Sequence, residues 1–301
     1  MSFTRRQVLA GTAVGAMSAV AQTRRADAPK LRTTPAVCLF SQLLVKIPYD
    51  ELGGILRSLG VDGCDLSVQP GGHVDPANAG LHLPRAIEAV TGVGLDVCAL
   101  STAYTSIQDQ TTRNVFGFGG QMGIPLIRVG TWNYPAAGEV EPRLSEVSRD
   151  LNGLAALAQA VGMSVVVQNG TGDSVGSAVW DMHFVIRGMN PAAVGYAFDP
   201  AHAAVAAGGP GATAPLRLAL PRLKMIVARD FVWSKDGGAW KPMPCPLGEG
   251  VVDWPRLFNA LARAKFLGPV SIQVDYQPKD EIAAIRRDVE FIRKQVSAAY
   301  V

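Results

Sequence analysis

Between Ala36 and Ala299 the sequence alternates short apolar runs with longer amphipathic ones, eight times over and with no break in composition. The short runs are Ala36–Phe40, Gly63–Ser67, Leu95–Ser101, Leu126–Gly130, Ser164–Gln168, Val194–Asp199, Met225–Asp230 and Val270–Asp275. The helix-like runs are Tyr49–Leu59, Leu83–Thr91, Thr111–Met122, Pro142–Val161, Ser174–Met189, Ala214–Leu220, Trp254–Ala264 and Lys279–Ala299. Strands separated by helices predict βαβ units and a parallel sheet, and eight units in a row predict a closed α/β barrel, a single-domain (β/α)₈ fold. Gly60, Gly94, Gly123, Gly162 and Gly268 each fall between a helix and the next strand, where a left-handed residue ends a helix. Asp50 is placed to cap the first helix, and Pro142 suits an early helical position. Gly208–Gly211 and Ser234–Gly250 read as long irregular loops on the side where strands end.

The 301 residues suit one barrel of this kind, and 48% apolar with 18% charged residues excludes a disordered chain. Ser2-Phe3-Thr4-Arg5-Arg6-Gln7-Val8-Leu9 looks like a twin-arginine export motif. An apolar run to Val20 follows, and Ala19-Val20-Ala21 has the form of a signal-peptidase site. The run is too short and too rich in Gly and Ala for a secure membrane span. The expected organisation is a signal peptide over 1–21, a linker over 22–34 and the barrel over 35–301. The expected location is the periplasm or cell envelope, with no stable membrane association after export. A net charge of +3, part of it in the leader, offers no electrostatic footprint for nucleic acid. Cys38, Cys64 and Cys98 lie in strand-like runs and Cys245 in a Pro-rich loop; without a Cys-x-x-Cys pair, neither a disulfide nor a zinc site is expected.

In a parallel barrel the groups at the C-terminal ends of the strands converge on one mouth. Those ends carry Ser41 and Gln42; Asp65, Ser67 and Gln69; Ser101, Thr102 and Tyr104; Arg128, Thr131 and Trp132; Gln168 and Asn169; Asp199 and His202; Arg229, Asp230 and Trp233; and Gln273 and Asp275. Gln168 and Gln273 end apolar strands and are expected to point inward.

The segment Val194-Gly195-Tyr196-Ala197-Phe198-Asp199-Pro200-Ala201-His202 resembles the Asp-x-x-His signature of xylose isomerase-like barrels, which include sugar phosphate isomerases/epimerases and the tagatose-epimerase type. Leu247–Trp254, Phe266–Gln273 and Leu59–Leu66 resemble three further stretches of that superfamily, in the same order. The resemblance implies one divalent ion (manganese, magnesium, cobalt or zinc) at the strand ends. It also implies two Glu ligands that move a proton beside a carbonyl. Asp199 and His202 match the family pattern. Gln168 and Gln273 stand where the two Glu residues are expected, and Val227 stands where a ligand His is expected.

These departures predict a metal site that is weak or lost at Gln168, Asp199 and Gln273, and a protein that carries metal weakly or not at all. An amide accepts no proton near neutral pH, so His202, oriented by Asp199, is the remaining candidate base. Asn169, His202, Arg229, Asp230, Trp132 and Trp233 are the candidate substrate contacts; Arg229 would serve by its planar fork and the Trp residues by stacking on a sugar ring. The expected function is a sugar or keto-sugar isomerase or epimerase, or a related lyase, acting on a small carbohydrate. The alternative is a non-catalytic sugar-binding or regulatory protein that keeps the pocket without metal. A homo-oligomer is compatible with the sequence. A zinc endonuclease on the same barrel would need more than the four His present.

Overall fold

The computed structural model describes residues 32–209 and 213–301. The expected signal peptide (1–21) and residues 22–31 of the expected linker lie outside the described residues. No helix among the described residues is long and apolar enough to cross a membrane.

Eight strands form a closed barrel: β1 (Val37–Phe40), β2 (Gly63–Val68), β3 (Asp96–Thr102), β4 (Leu126–Arg128), β5 (Ser164–Gln168), β6 (Val194–Phe198), β7 (Leu223–Ala228) and β10 (Val270–Ile272). All neighbours are parallel, and β10 closes the ring by pairing with both β7 and β1. Side chains alternate between the two faces of a strand. One parity fills the barrel with small or slender residues, among them Cys38, Ala99, Leu126, Val166, Ala197, Met225 and Val227. The other, including Leu39, Val165, Val167, Ile226 and Ile272, meets the helices outside.

The surrounding helices are α1 (Tyr49–Ser58), α2 (Ala79–Thr91), α3 (Gln110–Gln121), α4 (Val140–Ala160), α5 (Val179–Ile186), α6 (Pro200–Ala206), α7 (Ala214–Ala219), α8 (Trp254–Arg263) and α9 (Glu281–Ala299). Helix α8 shows why they dock. Trp254, Leu257, Phe258 and Leu261 recur at helical spacing and all are buried. Each such side chain contributes roughly 1.5–3 kcal/mol on leaving water.

Several local expectations are corrected. Asp50 does not cap α1, which starts at Tyr49 behind Pro48; it lies in the first turn, where its charge favours the helix dipole. Strand β10 ends at Ile272, so Gln273 and Asp275 follow the strand rather than close it. Helix α6 was not expected: Asp199 accepts a hydrogen bond from the His202 amide, and Pro200 takes the first helical position. After α8 the left-handed residue is Lys265 (φ 55°), not Gly268. Gly268 is required for another reason, since a Cβ there would lie 2.3 Å from the Lys224 carbonyl oxygen.

The expected loop from Ser234 is instead an antiparallel hairpin, β8 (Asp230–Asp236) with β9 (Ala239–Cys245). Gly237 and Gly238, at φ 57° and 87°, supply the two left-handed residues of its turn.

Candidate active site

The strand parity that fills the barrel also decides what reaches its mouth. Two residues beyond Ala99, Leu126, Val166, Ala197, Val227 and Ser271 stand Ser101, Arg128, Gln168, Asp199, Arg229 and Gln273. A step of two keeps a side chain on the same face, so each continues the inward row.

These groups join in one ring of polar contacts. Ser271 Oγ donates to Asp65 (2.7 Å), and so does Ser101 Oγ (2.5 Å). Arg128 Nε donates to Ser101 Oγ at 2.8 Å, and Arg128 Nη1 donates to Gln168 Oε1. Gln168 Nε2 donates to Asp199 Oδ2 at 3.0 Å. Arg229 lies against the same carboxylate oxygen, with Nε 2.9 Å away, and reaches Asp275 through Nη1 at 2.6 Å. Arg229 Nη2 donates to Gln273 Oε1. Gln273 is on the same row as Ser271, so the ring returns to its origin after touching β2 to β7 and β10.

The electrostatics follow from burial. Asp65 has no exposed surface, and its carboxyl sits above the ordinary Asp range because burial penalises the charge; Arg128 and the two serine hydroxyls oppose that rise. Burial likewise lowers Arg128, with Asp65 supporting its charge and Arg229 opposing it. The Arg128 guanidinium also lies 5.0 Å from the Phe40 ring centre.

His202 completes the arrangement. Its Nδ1 is 2.9 Å from the Asn169 carbonyl oxygen, which can only accept, so Nδ1 carries the proton and Nε2 keeps its lone pair. Nδ1 is also 3.3 Å from Asp199 Oδ2, and Nε2 is 3.4 Å from Arg229 Nη1. Asn169 locks the base of the site: its amide donates to the Asp199 carbonyl, and its Oδ1 accepts from the Asp199 amide.

Of the residues expected from sequence, Gln168, Asn169, Asp199, His202, Arg229 and Gln273 come together here. Three others do not. Asp230 is buried beneath the mouth, where it accepts from the amides of Phe231, Gly248 and Val252 and from Trp254 Nε1; it anchors the chain between β8 and α8 and is not a ligand contact. Trp132 is 4% exposed and packs in the core beneath the helices, so it is not available to stack on a sugar. Trp233 packs edge-on against Phe231 beside Ala201 and Ala204 of α6. The sequence reading gave Arg128 no role, and it left Asp65, Ser101 and Ser271 unconnected. The signal that finds them is the inward parity. A separate cavity of about 540 Å³ lies between α7 and α8, and none of the ring residues lines it.

Residues 55–295 match the family model described as xylose isomerase-like TIM barrel. The chain belongs to that family. A search of curated protein sequences returned no match. Among solved structures, an L-ribulose 3-epimerase superposes with a TM-score of 0.69 at 14% identity, over 88% of this chain and 95% of that one. A xylose isomerase-like TIM barrel protein from Mycobacterium smegmatis in complex with magnesium gives 0.68 at 15%, over 89% and 98%. A D-allulose 3-epimerase from Methylomonas sp. in complex with D-allulose gives 0.67 at 13%, over 87% and 97%.

The donor set at the mouth of this xylose isomerase-like barrel does not fit a divalent ion. Both amide oxygens, Gln168 Oε1 and Gln273 Oε1, already face guanidinium groups. Gln168 turns its NH₂, not its oxygen, towards Asp199. Val227 is fully buried among the apolar residues inside the barrel. Among the described residues no cluster of three His, Cys, Asp or Glu side chains could hold a metal ion.

Proposed function

We propose that this protein binds a small carbohydrate at the barrel mouth and isomerises it through an enediolate, with His202 as the single proton-moving group. The observation that carries this reading is that one polar ring holds His202 directly on Asp199 and links Arg128 and Gln273 to it through Gln168 and Arg229. His202 Nε2 keeps its lone pair, which meets only a long 3.4 Å contact from Arg229 Nη1 that an incoming substrate displaces. Gln273 Nε2 is a buried donor with no partner among the described residues. Arg128 uses Nε and Nη1 in the ring, while its Nη2 has no hydrogen-bond partner among the described residues. Two donors and one acceptor match an α-hydroxy carbonyl: the donors hold the two oxygens, the imidazole takes the proton from the hydroxyl-bearing carbon and returns it to the former carbonyl carbon, and the hydroxyl proton passes from one oxygen to the other across the enediolate.

One base has a stereochemical consequence. Proton removal and return then occur on one face, which suits a 1,2 shift between ketose and aldose better than an inversion that needs a base on each side. The reading draws support from the sugar epimerases that share the fold, and the twin-arginine leader adds a location beyond the cytoplasmic membrane.

The test is to incubate the protein with ketoses, D-allulose among them, in deuterated water and to follow deuterium at the carbons beside the carbonyl by NMR. Exchange is expected, reduced about a hundredfold or more in His202→Ala. Exchange that survives in His202→Ala rejects the histidine as base. The second reading, a non-catalytic sugar-binding protein, rests on the amides at 168 and 273, neither of which accepts a proton; saturable sugar binding without exchange establishes it.

A further inference from the structure

We propose that Arg229 is the resident cation of this barrel, its guanidinium standing where a divalent ion would sit, so that ligand binding needs no metal. The proposal concerns charge and does not depend on which sugar is bound or whether it is turned over.

Four observations carry it. Arg229 lies on Asp199 and Asp275 through Nε and Nη1, and on Gln273 Oε1 through Nη2. The guanidinium thus contacts the Asp and the eighth-strand amide that stand at the aligned ligand positions, and it draws in a further carboxylate. The group is held inside the mouth, with only 18% of its side chain exposed. The ion pair offsets the charge of Asp199, which has no exposed surface; the carboxylate accepts its hydrogen bonds from Gln168 Nε2 and the His202 amide, while Arg229 Nε lies 2.9 Å away without an aligned one.

The amides explain why the substitution is consistent across the site. Gln168 accepts from Arg128 and donates to Asp199. A Glu at that position cannot donate; it would set a second carboxylate about 3.0 Å from Asp199, an arrangement that needs a shared cation or a proton to hold it together. With guanidiniums as the cations, an amide that bridges a positive group and a negative one is the matching residue. Gln273 shares only the accepting half of that pattern, with its oxygen on Arg229 and its Nε2 without a partner among the described residues. The amides at 168 and 273 and the positions of Arg128 and Arg229 therefore have one cause. A divalent ion would have to expel Arg229 and rotate Gln168 before it met an oxygen.

The experiment uses the mature protein and manganous ion alone, followed by electron paramagnetic resonance and calorimetry, with elemental analysis of the protein as purified. The expected result is no stoichiometric manganese in the purified protein and no saturable binding on titration. The variant Arg229→Met combined with Gln168→Glu and Gln273→Glu is expected to gain manganese affinity by about a hundredfold or more, because it removes the competing cation and adds two charged ligands. Stoichiometric metal in the wild-type protein, lost in Asp199→Ala, overturns the proposal. So does a folded triple variant, checked by circular dichroism, that binds manganese no better than wild type. Should the triple variant fail to fold, wild-type sugar binding measured with and without a chelator decides: unchanged affinity supports the proposal and loss of binding overturns it. The metal titrations contain no sugar, so their failure is distinct from failure of the carbohydrate assay.

Discussion

Asp230 shows how much a single side chain can organise. Its two oxygens accept four hydrogen bonds, from the amides of Phe231, Gly248 and Val252 and from Trp254 Nε1. Gly250 lets the chain wrap that closely, since a Cβ there would lie 2.1 Å from Asp230 Oδ1. Each buried donor left without its acceptor costs about 1–3 kcal/mol. Asp230→Ala is therefore expected to destabilise the protein by about 3 kcal/mol or more, read as a lower midpoint in urea unfolding with an unchanged slope. Gly250→Ala is expected to move stability in the same direction by displacing the carboxylate. From sequence, Asp230 looked like a mouth residue because it closes a strand-like run. What that reading overlooks is parity: Ile226 and Ala228 face the helices, so Asp230, two residues on, lies off the inward row that Met225 and Val227 begin. Arg229, one position earlier, stays in it.

At the scale of the element, the same difference separates what was legible from what was not. The barrel strands and the long helices follow from repeated apolar patterning, although α2 starts earlier than expected, at Ala79, and α5 is shorter, Val179–Ile186. Helix α6 was hidden because Asp199 and His202 drew a functional reading, although Asp-Pro at a strand end is also a helix start. The β8–β9 hairpin was hidden because, beyond Phe231, its strands carry Trp, Lys and Pro on largely exposed surface, with no continuous buried face to give a period. Its signal was the Gly237-Gly238 pair alone. Both residues are left-handed, a conformation that costs a side-chain-bearing residue roughly 1–2 kcal/mol. Replacing both with Ala is expected to raise amide exchange along Asp230–Cys245 and leave the barrel amides protected; uniform loss of protection throughout the molecule would show that the hairpin is not an independent unit.

For the molecule as a whole, the polar ring sets a term in the pH dependence of stability. Burial raises the Asp65 carboxyl above its value in the unfolded chain. Between those two values the folded state holds the proton and the unfolded state does not, so stability falls as pH rises through that window and stays lower above it. An Asn cannot ionise. Wild type minus Asp65→Asn, compared as melting temperatures from acid to neutral pH, is expected to be largest in acid and to shrink as pH rises. A difference constant across the range would show that Asp65 carries no shifted proton. The convergence of Gln168, Asp199, His202, Arg229 and Gln273 was within reach of the sequence, because strand parity and barrel closure fix which residues face the axis. The pairing of two arginines with two amides was not, since it depends on distances across the ring.

The ring has one more implication. It works like the hoop of a cask: side chains rooted in the staves, and not the loops above them, set the girth of the opening. The loops can then be exchanged or lengthened to suit a different guest while the charged floor beneath keeps its shape.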